Sequence, residues 1–382
     1  MKILFISMPS IHAVRWIENL NGLNHDLYWF DVLGKGELGT KLPLHQFINW
    51  KKRKIPYIKG EHSLKRKFPF LYNSLQPFLE VTANEKLAQI LNEIQPDVVH
   101  SFEMQNCSYP ILETMQKFRK IKWLYSCWGS DLFYYKNMPN HILKIKSILN
   151  RINYLHTDCQ RDYLIAKSLG FTGKHAGVIP GGAGYRLGKL ENYKVSIEKR
   201  KIILIKGYEN LFGRALNVIK AIKKSDINLN EYEIIVFGAH LGVQNYIKEN
   251  NLDIKVHGRH DLSHLELIKL MGKSLIYIGN NISDGMPNTL LEAIVMGAFP
   301  LQSNPGGVTA EVITNGINGY LIENPNDEKA IATLILQVLK DPELLQSAFD
   351  SNKIIAKERL DYTVNQQKIV VLYKQIENDL CE

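Results

Sequence analysis

Two periods of apolar and polar residues alternate along the chain. Short runs rich in β-branched and aromatic residues recur, and between them lie longer stretches with apolar residues every three or four positions, the amphipathic helix period. The runs that read as strands are Lys2–Ser7, Leu27–Val32, Asp97–Ser101, Lys122–Cys127, Asn153–Thr157, Lys201–Lys206, Glu233–Phe237, Ile254–His257, Ser274–Gly279, Ala298–Gln302 and Gly319–Ile322. Strands spaced by helical stretches predict parallel sheets with crossover helices. Eleven such strands are too many for one small doubly wound sheet, and 382 residues suffice for two domains.

A polar stretch from Tyr185 to Arg200, with Gly184 and Gly188, comes after Pro180-Gly181-Gly182 and places a boundary there. The expected organisation is an α/β fold of two facing Rossmann-like domains, residues 1–185 and 186–362, with ligands taken in a cleft at the strand C-terminal ends. A last helix, Thr363–Asp379, lies in a segment, 363–382, beyond the second domain's elements. Its plain reading is a helix packed on its own domain.

Composition narrows the class. A chain 45% hydrophobic and 22% charged is globular. Cys107, Cys127, Cys159 and Cys381 are scattered, with no metal or redox spacing, as expected in a reducing cytosol. The apolar start Met1–Ser7 is too short for a signal sequence, and Pro9, His12 and Arg15 interrupt the residues after it. With no run of about 18 apolar residues, no transmembrane helix is expected.

The formal charge of +9 is concentrated: Lys51–Lys67 carries eight Lys or Arg against one Glu. Nucleic acid, an anionic membrane or a charged substrate would each account for it. No nucleic-acid-binding motif accompanies it. Phe68-Pro69-Phe70-Leu71-Tyr72 comes directly after. Cations beside exposed aromatics suit an anionic membrane surface, and the plainer alternative is a solvated loop with its aromatics packed inside.

The chemistry concentrates in residues 283–297, Ser-Asp-Gly-Met-Pro-Asn-Thr-Leu-Leu-Glu-Ala-Ile-Val-Met-Gly. A strand precedes it, a polar loop comes next, and Pro287 is expected to open an apolar helix. Asp284 in the loop and Glu292 in the helix flank a helix N-terminus, whose N–H groups and dipole attract phosphate. A nucleoside diphosphate sugar presents the matching order: hydroxyls, anion, hydroxyls. The alternative is an ordinary strand–loop–helix with an acidic cap. Glu292 stands among Leu290, Leu291, Ala293, Ile294 and Val295, where a carboxylate is costly unless hydrogen-bonded. Lys206 closes a strand and Arg214 opens the next helix, in Lys-Gly-Tyr-Glu-Asn-Leu-Phe-Gly-Arg-Ala. Two cations at strand ends can neutralise a leaving diphosphate.

Segment 284–293 resembles the signature of the family 4 retaining glycosyltransferases, usually Glu-Gly-Phe-Pro-Asn-x-Leu-Leu-Glu-Ala. Ser303-Asn304-Pro305-Gly306-Gly307 and Asn315-Gly316-Ile317-Asn318-Gly319 stand at that family's distances beyond it. The resemblance covers the C-terminal half well, and the N-terminal half through His100–Tyr109, Trp128–Asp131 and Pro180–Gly182. It implies the GT-B architecture, with the last helix returning to the first domain, and transfer of a sugar from a nucleotide donor to an acceptor hydroxyl, with retention and without metal or other cofactor. It assigns Glu292 the ribose hydroxyls and Asp284 the sugar hydroxyls, with Asp284 in place of the usual Glu. Lys206 and Arg214 act on the diphosphate, though Lys-Gly here precedes Gly-Arg, the reverse of the family's order. Gly207, Arg259, Gly285, Met286, Pro287, Asn288 and Thr289 complete the donor side. His12, Glu103, Gln105, Trp128 and Asp131 are acceptor-side candidates, each with an alternative reading as a cap or core group. Trp128 stands where relatives have a histidine, and Met8-Pro9-Ser10-Ile11-His12 replaces their Gly-rich loop.

His257, His260 and His264 suggest a metal cluster, but Ser263 and Glu266 make a capping box that explains them better. No Gly-x-Gly-x-x-Gly comes after a strand, which argues against a nicotinamide dehydrogenase. The expected setting is cytoplasmic, with bacterial surface-polysaccharide assembly on a carbohydrate or lipid-linked acceptor. A catalytically silent nucleotide-sugar binder and an epimerase of the same fold are the rival readings.

Overall fold

The computed structural model describes residues 1–224 and 231–381. It comprises two compact units: Met1–Thr157 with Tyr163–Gly177 and Val370–Glu382, and Asp158–Asp162 with Val178–Ile369. The C-terminal helix, Tyr362–Cys381, therefore contributes its first turns to the second unit and the remainder to the first.

The first unit holds β1 (Lys2–Ser7), β2 (Asp26–Asp31), β3 (His45–Phe47), β4 (Val98–Phe102), β5 (Lys122–Ser126), β6 (Tyr154–Thr157) and β7 (Lys174–Val178). They form a seven-stranded sheet in the order β3-β2-β1-β4-β5-β6-β7. The second unit holds β8 (Ile202–Lys206), β9 (Glu233–Ala239), β10 (Lys255–Gly258), β11 (Ser274–Gly279), β12 (Phe299–Ser303) and β13 (Tyr320–Ile322). Their order is β10-β9-β8-β11-β12-β13. Strand registers are parallel, as in β1–β4 and β8–β11. Both sheets thus have the doubly wound α/β form that the alternating pattern predicts.

Two short strands escape that pattern. His45–Phe47 spans three residues, and Lys174–Val178 contains Gly177 at φ 94°. Both lie at sheet edges, where pairing on one side lets a strand form without a hydrophobic run.

In the second sheet the strand period of two sorts side chains by face. Ile203, Ile205, Ile276 and Ile278 pack with Val218 and Ile222 on one side. Leu204, Phe237 and Tyr277 pack with Leu290, Leu291 and Ile294 on the other. Burial on both faces explains why these strands read as continuous apolar runs. Fully burying each such side chain stabilises by about 1.5–3 kcal/mol.

One face of the first sheet carries a polar seam instead. His100 Nδ1 lies 2.7 Å from Tyr373 Oη, and its Nε2 lies 2.7 Å from Ser126 Oγ. Trp16 Nε1 donates to the same Tyr373 oxygen at 3.2 Å. Complete burial holds the His100 pKa well below its ordinary value, so the ring serves as a neutral bridge. Tyr373 ties the C-terminal helix to this sheet.

Each sheet has one place where chain order reverses, between β1 and β4 and between β8 and β11. Loops leaving adjacent strands diverge there and leave a crevice at the strand C-terminal ends. At the second position Lys206 ends β8, Gly207 follows it and the Asp284 loop follows β11; at the first, Glu103 and Gln105 follow β4, whereas Arg259 follows the edge strand β10.

Candidate functional site

At the second unit's reversal point, β8 ends on Lys206 and β11 leads through Asn280-Asn281 into the Asp284 loop. Lys206 Nζ lies 4.0 Å from Asp284 Oδ2 and 4.7 Å from the Tyr208 ring centroid. Asn281 Nδ2 donates to the same Asp284 oxygen at 2.6 Å. Burial raises the Asp284 pKa, Lys206 and the Gly285 N–H pull it down, and its side chain stays 31% exposed. A carboxylate held this way can still accept from a ligand hydroxyl.

The helix after the loop is Asn288–Met296, with Pro287 at its N-cap rather than inside it, and no side chain caps it. Its first-turn N–H groups and dipole face the loop, the arrangement that attracts an anion. Tyr277 Oη and Thr289 Oγ1 share a 2.8 Å hydrogen bond that pins the first turn to β11. Met286 and Pro287 are buried beneath it.

Glu292 is only 4% exposed, and its Oε1 lies 2.7 Å from His264 Nε2. The histidine comes from helix His264–Met271, which opens with the expected capping box of Ser263 and Glu266. His264 is thus a hydrogen-bonding partner that helps make the carboxylate tolerable on an apolar helix. Spacing alone marks this histidine only as a weak metal ligand.

Arg214 precedes helix Ala215–Lys224. Its Nη1 donates to the carbonyls of Asn210 at 3.1 Å and Gly213 at 2.7 Å. Its loop lies along the strand end: Arg214 N–H donates to Asn280 O, and Ile282 N–H to Phe212 O. Gly207 is required by close approach, since a Cβ there would sit 2.7 Å from Ala239 Cα. Arg259 and His260 are exposed in the turn after β10.

Segment Asp158–Asp162, which groups with this unit, braces the loop. Arg161 donates to Asp284 O at 2.7 Å and to Pro305 O at 2.6 Å, and its Nε pairs with Asp162 at 2.9 Å. The Gln160 and Arg161 N–H groups donate to Glu311. A Cβ on Gly285 would meet Asp158 Oδ2 at 2.5 Å, so only glycine fits. Nothing in sequence spacing marks Arg161, because the two loop carbonyls it holds lie more than 120 residues away.

Among the described residues, Asp158, Cys159 and Asp162 have ligand atoms within 4.8 Å of one another, while His257, His260 and His264 form no such group. The Arg161–Asp162 ion pair at 2.8 Å and a Met286 N–H on Asp158 occupy this buried cluster.

The first unit's reversal point differs in character. Glu103 comes just after β4 with φ 62° and ψ 145°, a strained backbone for a residue with a side chain. Its carboxylate accepts from Gln105 N at 3.0 Å and Asn106 N at 2.6 Å. Burial and the nearby Asp131 push its pKa up to about 7. Asp131 is 3% exposed and accepts from Tyr125 Oη, Cys127 Sγ and the Trp128 N–H. It anchors the turn after β5, and Gln105 Nε2 donates to its backbone oxygen at 2.9 Å. His12, in the first turn of helix Ile11–Glu18, meets Trp128 edge-on at 5.8 Å between centroids.

With this geometry in view, the comparisons are informative. A family model described as glycosyl transferases group 1 matches residues 194–354, and one described as glycosyl transferase 4-like matches residues 2–159. No curated protein matches the chain at a significant level. Solved structures resemble it throughout. Anabaena HepE in complex with UDP aligns at TM-score 0.70 and 16% identity, over 98% of this chain and 100% of that one. Sucrose-phosphate synthase from Thermosynechococcus elongatus aligns at 0.73 and 14%, over 99% and 100%. The lipopolysaccharide outer core galactosyltransferase WaaB aligns at 0.66 and 14%, over 98% and 99%. At such identities these likenesses establish the fold, which is GT-B.

Proposed function

Because the chain belongs to the group 1 glycosyltransferases, we propose that it moves a sugar from a nucleotide diphosphate donor to an acceptor hydroxyl, with retained configuration and without a metal. The observation that carries this is the convergence of Lys206, Asp284 and the uncapped start of helix Asn288–Met296 on one strand-end turn. As the bond from the sugar carbon to the phosphate oxygen breaks, the electron pair stays on the diphosphate. Lys206 and the helix N–H groups stabilise that growing charge, and Arg214 adds to it. Glu292, oriented by His264, accepts from the ribose hydroxyls, and Asp284 from the sugar. Met286, Pro287 and Thr289 shape the floor, and Arg259 borders the base.

The likeness to structures holding UDP and to a lipopolysaccharide galactosyltransferase supports a uridine donor and a role in surface-polysaccharide assembly. The acceptor we infer is a lipid-linked carbohydrate taken up at the cytoplasmic face of a membrane, bound against Trp128, His12 and Glu103. No helix among the described residues is long and apolar enough to cross one.

The test is nucleotide release from UDP-glucose, UDP-galactose and UDP-N-acetylglucosamine, with and without EDTA. Release from one donor, undiminished by EDTA, is expected. A chain that binds UDP yet releases nothing is a silent binder. Activity abolished by EDTA and restored by manganese refutes the metal-free assignment.

A further inference from the structure

Of the aromatics that close the basic stretch, Tyr72 packs inside, while Phe68 and Phe70 stand exposed. Among the described residues, eight of the seventeen large hydrophobics that stand exposed fall between Ile55 and Phe78. Tyr57 is 79% exposed, Phe70 86% and Phe78 71%. Two helices, Glu61–Lys67 and Pro69–Leu79, occupy this region. The second packs Tyr72 and Leu79 inward, yet also turns Phe70, Leu71, Leu75 and Phe78 outward. A surface helix of a water-soluble domain keeps its outer side polar. This one presents Phe70, Leu71, Leu75 and Phe78 on it, beside Ser74 and Gln76.

The segment is a built element. Arg53 holds Glu61 through two hydrogen bonds, 2.6 and 2.7 Å, and reaches Glu80 at 3.4 Å. Tyr72 Oη donates to Glu61 at 3.2 Å. The Arg53 bond holds the Glu61 carboxyl down to about 2, so it is ionised and fully paired. Backbone bonds Lys54 N–H to Leu79 O and Val81 N–H to Lys52 O close the base. The single acid of the Lys51–Lys67 stretch is thereby neutralised internally, and Lys54 pairs with Glu85. Lys51, Lys52, Lys59, Lys65, Arg66 and Lys67 remain exposed.

We propose that this helical hairpin docks the protein on an anionic lipid bilayer, with Phe70, Leu71 and Phe78 entering the headgroup boundary and the exposed cations meeting lipid phosphates. Charge decides between partners: exposed cations with no free acid among them match a negatively charged sheet, and exposed rings next to a basic stretch sit where a bilayer changes from polar to apolar. The proposal rests on the functional reading only in making the acceptor lipid-linked; docking itself requires no nucleotide.

The experiment is co-sedimentation of the full chain with phosphatidylglycerol/phosphatidylcholine vesicles and with phosphatidylcholine alone, at low and high salt. Wild type, Phe70→Ser/Phe78→Ser and Lys65→Gln/Arg66→Gln/Lys67→Gln are compared, and the mass of each is measured without vesicles. Expected is salt-sensitive binding to the anionic vesicles, weakened about tenfold or more by either set of substitutions. These positions are exposed, so folding should survive both. Three results overturn the proposal: no binding at low salt, binding unaffected by the Phe substitutions, or a wild-type dimer that the Phe substitutions turn into a monomer without any vesicle binding. Nucleotide release should be unchanged in the Phe variant, so a docking failure and a failure of the transferase reading are told apart.

Discussion

The reversal point between β8 and β11 is cationic and rich in donors, whereas the one between β1 and β4 is acidic and aromatic. The first offers Lys206, Arg214 and the uncapped start of helix Asn288–Met296. The second offers Glu103 beside Asp131, with His12 and Trp128 in edge contact. Topology supplies the crevice in both sheets; side-chain charge decides its ligand. A diphosphate suits the former and is repelled at the latter, while a neutral hydroxyl-bearing sugar suits a carboxylate flanked by an indole.

That contrast can be broken by substitution, and the largest effect is expected at Arg161. Changing it to Met removes the bonds to Asp284 and Pro305 and leaves Asp162 buried without its cation. A loss of about 3–5 kcal/mol of unfolding free energy in urea titration is expected. A loss under about 1 kcal/mol would mean the loop does not depend on it.

Lys206→Ala should lower kcat by roughly 10²–10³ at saturating donor, because its charge acts on the departing diphosphate. A change confined to the donor KM would reduce it to simple ground-state binding.

Glu292→Ala should weaken nucleotide affinity by about 1.5–3 kcal/mol, roughly tenfold or more, with His264→Ala a smaller change in the same direction. Unaltered affinity in folded variants would remove the ribose from this helix.

The smallest effect concerns Glu103 and sharpens the acidic side. Its folded pKa near 7 lies above the ordinary carboxyl value. The folded state therefore holds this proton more tightly, and the associated stability is present at low pH and lost as pH rises through 7. Glu103→Gln should flatten Tm between pH 5 and 8. If ionised Glu103 orients the acceptor, wild-type kcat rises with pH through 7 and the variant shows no such rise.

Much of this was legible in the sequence where the physics is local. Apolar runs buried on both faces announce β8 and β11, and Ser263 with Glu266 announces a helix start that the structure contains in full. Edge strands such as His45–Phe47 were not legible, because pairing rather than pattern makes them. Within the site, Lys206, Asp284 and Glu292 stand out by type and spacing, and the structure places Lys206 and Asp284 together. Their supports do not stand out. Arg161 and His264 reach partners up to 144 and 28 residues away, and Asn281 acts through one local side-chain contact, none of which periodicity encodes. The seam of His100, Ser126 and Tyr373 likewise joins residues up to 273 apart.

The most direct test of the central claim is calorimetric titration with UDP, and with GDP and ADP in parallel, of the wild type, Lys206→Ala and Glu103→Gln. One nucleotide should bind the wild type and Glu103→Gln alike, and Lys206→Ala at least about tenfold more weakly. Affinity lost on changing Glu103 and kept on changing Lys206 would contradict the assignment of the anionic donor to the second unit.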